Sequence, residues 1–220
     1  MAEAILRISS KNYSSWSLRG FLLCRLSGLG FTVEAADAGD PKTRAELLLQ
    51  SSSIRLPCLL HGDAEVWDTL AIAEYLHELK PRAGMYPKDR LARARCRSIA
   101  GEMHSGFEAL RSSLPMNIRA HRPNFALWSG PRADIQHIKA IWRDCLAQWG
   151  GPWLFGDRPT VADAMYAPVV SRFLTYDVAW EPAIAPYCDT IMAWAPMAEW
   201  VAAAREEPEA IEELEVDAEF

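Results

Sequence analysis

Residues 4–36 read AILRISSKNYSSWSLRGFLLCRLSGLGFTVEAA. The apolar run at 4–8 predicts a short strand. Beyond a polar loop, Leu18, Leu22, Leu26 and Leu29 recur at helical spacing, which predicts a helix over 14–29 with Gly30 as its stop. A second strand is predicted over 31–36. The pattern continues with a short helix at 41–50, for which Asp40 is a cap and Pro41 lies in the first turn. Strands at 56–60 and 65–67 are joined through 61–64, a segment that suits a hairpin loop. A helix over 69–79 closes the series. A βαβαββα order within eighty residues predicts a small α/β domain built on a mixed sheet.

Past residue 80 the strand signals stop. Helices are predicted over 88–114, 131–149, 160–176, 182–194 and 196–205, and the Pro/Gly cluster at 81–87 reads as a linker. The expected organisation is an α/β domain over 1–80, the linker, an all-helical bundle over 88–205 and an acidic tail over 206–220. Net charge is −6, and residues 205–220 hold one base and eight acids, so the rest of the chain carries about +1. The tail reads as solvated, and the near-neutral body offers no basic face to a nucleic acid. At 220 residues and 50% hydrophobic composition the chain has an ordinary globular make-up, with no run long enough to predict a membrane span and no signal peptide at the start. Cys24, Cys58, Cys96, Cys145 and Cys188 are odd in number and form no C-x-x-C pair, which points to a reducing cytoplasm rather than a disulfide framework. No H-x-x-x-H spacing occurs among the histidines, so no metal is expected.

Three segments of the first eighty residues carry candidate chemistry. Ser14, Ser15, Trp16 and Ser17 lie where the first helix begins. Serines there serve as N-caps, and a helix N-terminus with a nearby hydroxyl also stabilises an anion, a thiolate included. Leu56 and Pro57 begin the third strand, where a proline cannot donate to the ladder. Asp68 and Thr69 sit at a strand-to-helix junction. They read either as a capping pair or as a corner in which Thr69 and helix N–H groups bind a carboxylate and Asp68 binds an ammonium group.

In order and spacing these segments resemble the cytosolic glutathione transferase family, and the resemblance covers almost the whole chain. Ser14 to Arg19 look like the motif of its serine-type classes. Leu56-Pro57 looks like the Val-Pro of its cis-proline loop, and Asp68-Thr69 like the acidic-Ser pair that holds the γ-glutamyl end of glutathione. Residues 156–163, GDRPTVAD, are similar to the family's buried capping box, with Asp163 bonding back to Thr160. Residues 102–111, EMHSGFEALR, are like those of a bacterial subgroup. The resemblance implies a thioredoxin-like N-terminal domain, glutathione as substrate, no metal, and a cytoplasmic homodimer engaged in detoxification. It also implies that glutathione is held by Trp16, Arg55, Leu56, Pro57, Asp68 and Thr69. Ser14 is the first choice for the hydroxyl that stabilises the thiolate, and Ser15 the second.

Along the helix expected over 88–114, Met103, Phe107, Leu110 and Leu114 form an apolar stripe, and His104, Glu108 and Arg111 form a polar one. His104, Phe107, Glu108 and Arg111 are the candidate lining of a pocket for a small hydrophobic electrophile. Arg90, Arg93 and Arg97 form a basic face. Two alternatives to the transferase remain open. One is a glutathione-dependent cis–trans isomerase of the maleylacetoacetate type, although Trp16 stands where that class has cysteine. The other is a non-catalytic protein that uses the fold for binding.

Overall fold

The structure is a computed structural model and describes residues 4–36, 56–208 and 215. The helix expected over 41–50, and Arg55, lie outside the described residues. Strands β1 (Ala4–Ile8), β2 (Thr32–Ala35), β3 (Cys58–His61) and β4 (Ala64–Trp67) form one sheet in the order β2-β1-β3-β4. β1 pairs with β2 in parallel and with β3 antiparallel, and β3–β4 is an antiparallel hairpin. Its loop is tighter than expected, with only Gly62 and Asp63 between the strands and Gly62 at φ 59°. Helices α1 (Ser15–Ser27) and α2 (Thr69–Leu79) complete the described part of this unit. α1 ends at Gly28, whose φ of 71° suits glycine, two residues before the expected stop.

The register sets up everything that follows. Arg7 pairs with Cys58 and Cys58 with Trp67, so the end of β1, the start of β3 and the end of β4 lie in one row. The loop into α1, the Leu56-Pro57 turn and the Asp68 junction therefore emerge at the same edge of the sheet. α1 crosses close to that edge. A Cβ placed on Gly20 would lie 2.7 Å from Pro57 Cγ and 2.8 Å from Pro57 Cβ, so only glycine permits this approach.

The second half is helical: α3 (Arg90–Ser105), α4 (Glu108–Ser113), α5 (Ser129–Trp149), α6 (Val161–Thr175), α7 (Ala185–Ala193) and α8 (Ala195–Arg205). α6 is buried on nearly every side, with Leu174 alone exposed, as its largely apolar sequence requires. Its start carries the expected box, in which Thr160 N–H donates to Asp163 Oδ2 at 2.7 Å and Leu154 N–H to Oδ1 at 3.1 Å. Burial pushes the Asp163 carboxyl up to about 6 against these donors. α6 packs against α1 and α3, which joins the two halves. Arg97 in α3 also reaches Glu74 in α2 at 3.0 Å.

Two expectations are corrected. The helix expected over 88–114 is broken at Gly106 and Phe107. Gly106 is extended and donates its N–H to Glu102 O at 2.8 Å, and Phe107 adopts the left-handed conformation at φ 58°. The Asp134 carboxylate of α5 then accepts the Leu110 N–H at 2.8 Å, so a side chain from another helix stabilises the start of α4. The acidic tail is not simply solvated either. Glu207 accepts from Ser10 Oγ, Lys11 N–H and Asn12 N–H, each at 2.8 Å, and Glu215 accepts from Tyr13 Oη at 2.5 Å. Two tail carboxylates thus pin the loop that leads into α1.

Replacing Gly20 by alanine forces α1 away from Pro57. We expect Gly20→Ala to lose about 1–3 kcal/mol of stability, the usual range for overpacking, read as a lowered urea midpoint at unchanged slope.

Candidate active site

Ser14 is the N-cap of α1, and its Oγ accepts the Ser17 N–H at 3.2 Å. One orphan donor of the first turn is thereby satisfied, and the other N–H groups there keep their partial positive charge. Ser15, the next residue, is 6% exposed. Its Oγ accepts from Arg19 Nη1 at 3.2 Å and from Arg172 Nη2 at 3.1 Å. Two guanidinium donors therefore fill the acceptor positions of this hydroxyl.

The Leu56–Pro57 peptide is cis, and Pro57 is buried against α1. Asp68 is the N-cap of α2 at φ 73°, a conformation that non-glycine residues seldom adopt. Its Oδ1 accepts from Leu70 N–H at 2.8 Å and Ala71 N–H at 3.4 Å, and its Oδ2 is 2.5 Å from His104 Nε2. Burial raises the Asp68 carboxyl, but the His104 bond and charge and the two N–H donors outweigh it, so the net shift is downward. Thr69, 1% exposed, has a hydroxyl with no hydrogen-bond partner among the described residues.

Trp16 is buried beside these groups. The His104 ring meets it edge-on at 5.3 Å, the Arg19 guanidinium lies 4.5 Å from its ring centre, and that of Arg111 lies 5.7 Å away. Arg111 donates to the His104 carbonyl at 3.2 Å. The break at Gly106-Phe107 turns the chain so that Arg111 and His104 both meet Trp16. Of the four candidate pocket residues, His104 and Arg111 come together there. Phe107 is buried with its ring 5.7 Å from that of His137, and Glu108 is exposed in the first turn of α4.

Family sequence profiles described as "Glutathione S-transferase, N-terminal domain" and "Glutathione S-transferase, C-terminal domain" match residues 13–79 and 132–206. The chain belongs to the glutathione transferase family. A probable maleylacetoacetate isomerase of Caenorhabditis elegans is 23% identical over 71% of this chain and 72% of its own length. Glutathione S-transferase 1 of Dianthus caryophyllus is 27% identical over 77% and 78%. A Burkholderia glutathione transferase homologue, crystallised with bound glutathione, superposes with a TM-score of 0.68 at 22% identity over 93% of this chain and 98% of that one.

Within this glutathione transferase fold, some features of the site were not read from the sequence. Arg172 had one signal, a charge inside the apolar run of α6. The Asp68–His104 pair joins residues 36 positions apart and had none. Among the described residues no group of three His, Cys, Asp or Glu side chains is placed to hold a metal.

The pairing of Asp68 has a pH signature. A carboxyl held below its ordinary range contributes stability that is complete above the unfolded pKa and lost as pH falls through the folded one. The stability advantage of the wild type over Asp68→Asn should therefore be constant near neutrality and shrink below about pH 4. Urea unfolding of both proteins across that range checks it; an advantage that grows on acidification would contradict the pairing.

Proposed function

We propose that the chain is a glutathione transferase, in which the glutathione sulfur attacks an electrophilic carbon. The observation that carries this reading is the convergence, at one edge of the sheet, of the α1 N-terminus, the cis-Pro57 turn and the Asp68-Thr69 corner. On this reading the backbone at Leu56-Pro57 pairs with the cysteinyl part of the tripeptide. Thr69 and the first N–H groups of α2 take the γ-glutamyl carboxylate, and Asp68 takes its ammonium group. Trp16 flanks the sulfur, and Arg55, the residue before Leu56 in the sequence, is a further glutathione-binding candidate. The Thr69 hydroxyl, buried without a partner among the described residues, supports this assignment because burying such a group costs free energy that a ligand carboxylate would offset.

The first turn of α1 and the hydroxyls of Ser14 and Ser15 stabilise the sulfur as a thiolate. A free thiol has a pKa of about 8.5, so only a few per cent is thiolate at neutral pH. The thiolate forms the C–S bond, and the leaving group departs with its electron pair. His104 and Arg111, facing Trp16, form the polar wall of the acceptor pocket. Arg111 is partly buried and bonds only to a main-chain carbonyl among the described residues. That favours, as a second reading, the glutathione-dependent isomerase. There the electrophile carries a carboxylate and glutathione is released again, so no conjugate accumulates.

The N-terminal unit would span 1–80 and the helical unit 88–205. We propose that the chain acts as a cytoplasmic homodimer. All five cysteines are buried and none is in a disulfide. Trp67, Leu79 and Leu91 are exposed apolar side chains suited to a two-fold contact. No helix among the described residues is long and apolar enough to cross a membrane.

Thr69 touches an unreacting end of the ligand, so it should act on affinity rather than rate. Thr69→Val should raise the glutathione KM about 10- to 100-fold, the worth of one hydrogen bond to a carboxylate, with kcat nearly unchanged. A collapsed kcat at unchanged KM would overturn the assignment. Light scattering should give twice the chain mass at micromolar concentration.

A further inference from the structure

Arg19 and Arg172 are 0% and 1% exposed, yet neither meets a carboxylate among the described residues. Arg19 Nε donates to the Met165 carbonyl at 2.8 Å and Arg172 Nε to the Leu114 carbonyl at 2.8 Å. Arg172 Nη1 lies 3.4 Å from the Pro168 carbonyl of its own helix. Arg19 Nη2 is buried with no partner among the described residues. The acceptor the two share is Ser15 Oγ. Buried cations are normally matched by an anion, because desolvating a charge costs several kcal/mol. Here two lie together: burial first, then Arg172 and Arg111, pull the Arg19 guanidinium pKa down, and burial pulls that of Arg172 down with Arg111 against an opposing effect of Tyr176. An arginine still keeps its charge near neutrality.

Among the described residues the surroundings supply no counter-ion. From α6 comes Tyr166 in addition to Arg172, from α4 Arg111, from α3 His104 and from the α2 cap Asp68. The Asp68 carboxylate is bonded to His104 and to its own helix. At the far end of α1, Arg25 and Glu199 pair with each other, and on the sheet Arg7 pairs with Glu34. Ser15 meanwhile uses both acceptor positions for guanidinium N–H groups, and no group among the described residues accepts its hydroxyl hydrogen. That hydrogen is left to be donated, and an oxygen polarised by two cations is a stronger donor than an isolated serine.

We infer that Arg19 and Arg172 act as positioning residues that lock Ser15 as a donor to the glutathione thiolate and supply the buried positive charge that this thiolate neutralises. The inference rests on the glutathione reading above and makes Ser15, rather than Ser14, the principal hydroxyl. Ser14 already accepts the Ser17 N–H, and no hydrogen bond to a cation is seen for it among the described residues. The thiol proton leaves to solvent, Ser15 keeps its own proton, and neither arginine changes protonation state.

The test is the thiolate absorbance of the glutathione complex titrated against pH, with glutathione affinity measured separately by calorimetry. The wild-type complex should show a thiol pKa well below that of free glutathione. Ser15→Ala and Arg172→Gln should each move it up by about one unit, a tenfold loss of thiolate at neutral pH. Ser15→Thr, which keeps a hydroxyl, should restore most of the shift, and Ser14→Ala should move it less than Ser15→Ala. Gln at 172 keeps a donor to Ser15 without the charge, so a purely structural role would leave its titration at the wild-type value and overturn the inference. If Arg172→Gln does not fold, Ser15→Ala against Ser15→Thr decides. A wild-type complex that binds glutathione with an unshifted thiol overturns the inference and leaves the glutathione reading standing. No glutathione binding at all defeats both.

Discussion

Helix α1 is buried on almost every side, between the sheet and α6, and this enclosure fixes most of what surrounds it. A helix that faces no water must end in partners of its own making. At its N-terminus these are Ser14 and the loop over 9–13, itself bonded by Glu207. Arg19 and Gly20, on successive positions, meet opposite constraints. Arg19 carries a charge into the contact with α6, and Gly20 lets the helix approach Pro57 more closely than any side chain would allow.

The same enclosure places the chemistry. Because the end of β1, the start of β3 and the end of β4 are in register, three loops of unrelated sequence deliver their side chains to one edge. The helical half closes over that edge with His104 and Arg111, brought together around Trp16 by the sharp turn at Gly106-Phe107. The Asp68–His104 bond crosses between the halves and fixes one wall of the cleft against the other. Strain at Asp68, whose φ is positive, is held by the two α2 N–H donors and by His104.

Electrostatics within the site are one-sided. Buried cations cluster on the α1–α6 side, while the carboxylate at the opposite corner is bonded to the second half. Such an arrangement lowers stability unless an anion completes it, and sites that bind or make anions characteristically carry it. Of the tail acids, Glu207 and Glu215 accept from donors of the β1–α1 loop and from Arg122, and neither bonds Arg19 or Arg172.

Much of the architecture was written locally. Alternating short apolar runs and helical spacing gave β1 at its observed bounds and the other described strands and α1 to within a residue or two, and Thr160 and Asp163 announced the start of α6. These features depend on neighbours within a few residues, which a single sequence displays. The helix break at 106–107 was not legible, because an isolated Gly-Phe carries no strong stop signal and the new start is stabilised by Asp134, 24 residues past Leu110. The convergence of Arg19 and Arg172 on Ser15, the Asp68–His104 bond and the docking of Glu207 likewise join residues from 36 to 197 positions apart, apart from the single turn linking Ser15 to Arg19. The sequence by itself determined the element types, their order and the three segments that carry the resemblance. Which hydroxyl is polarised, and by what, was decided only when α1 was buried against α6, since charge compensation depends on distance in space and not along the chain.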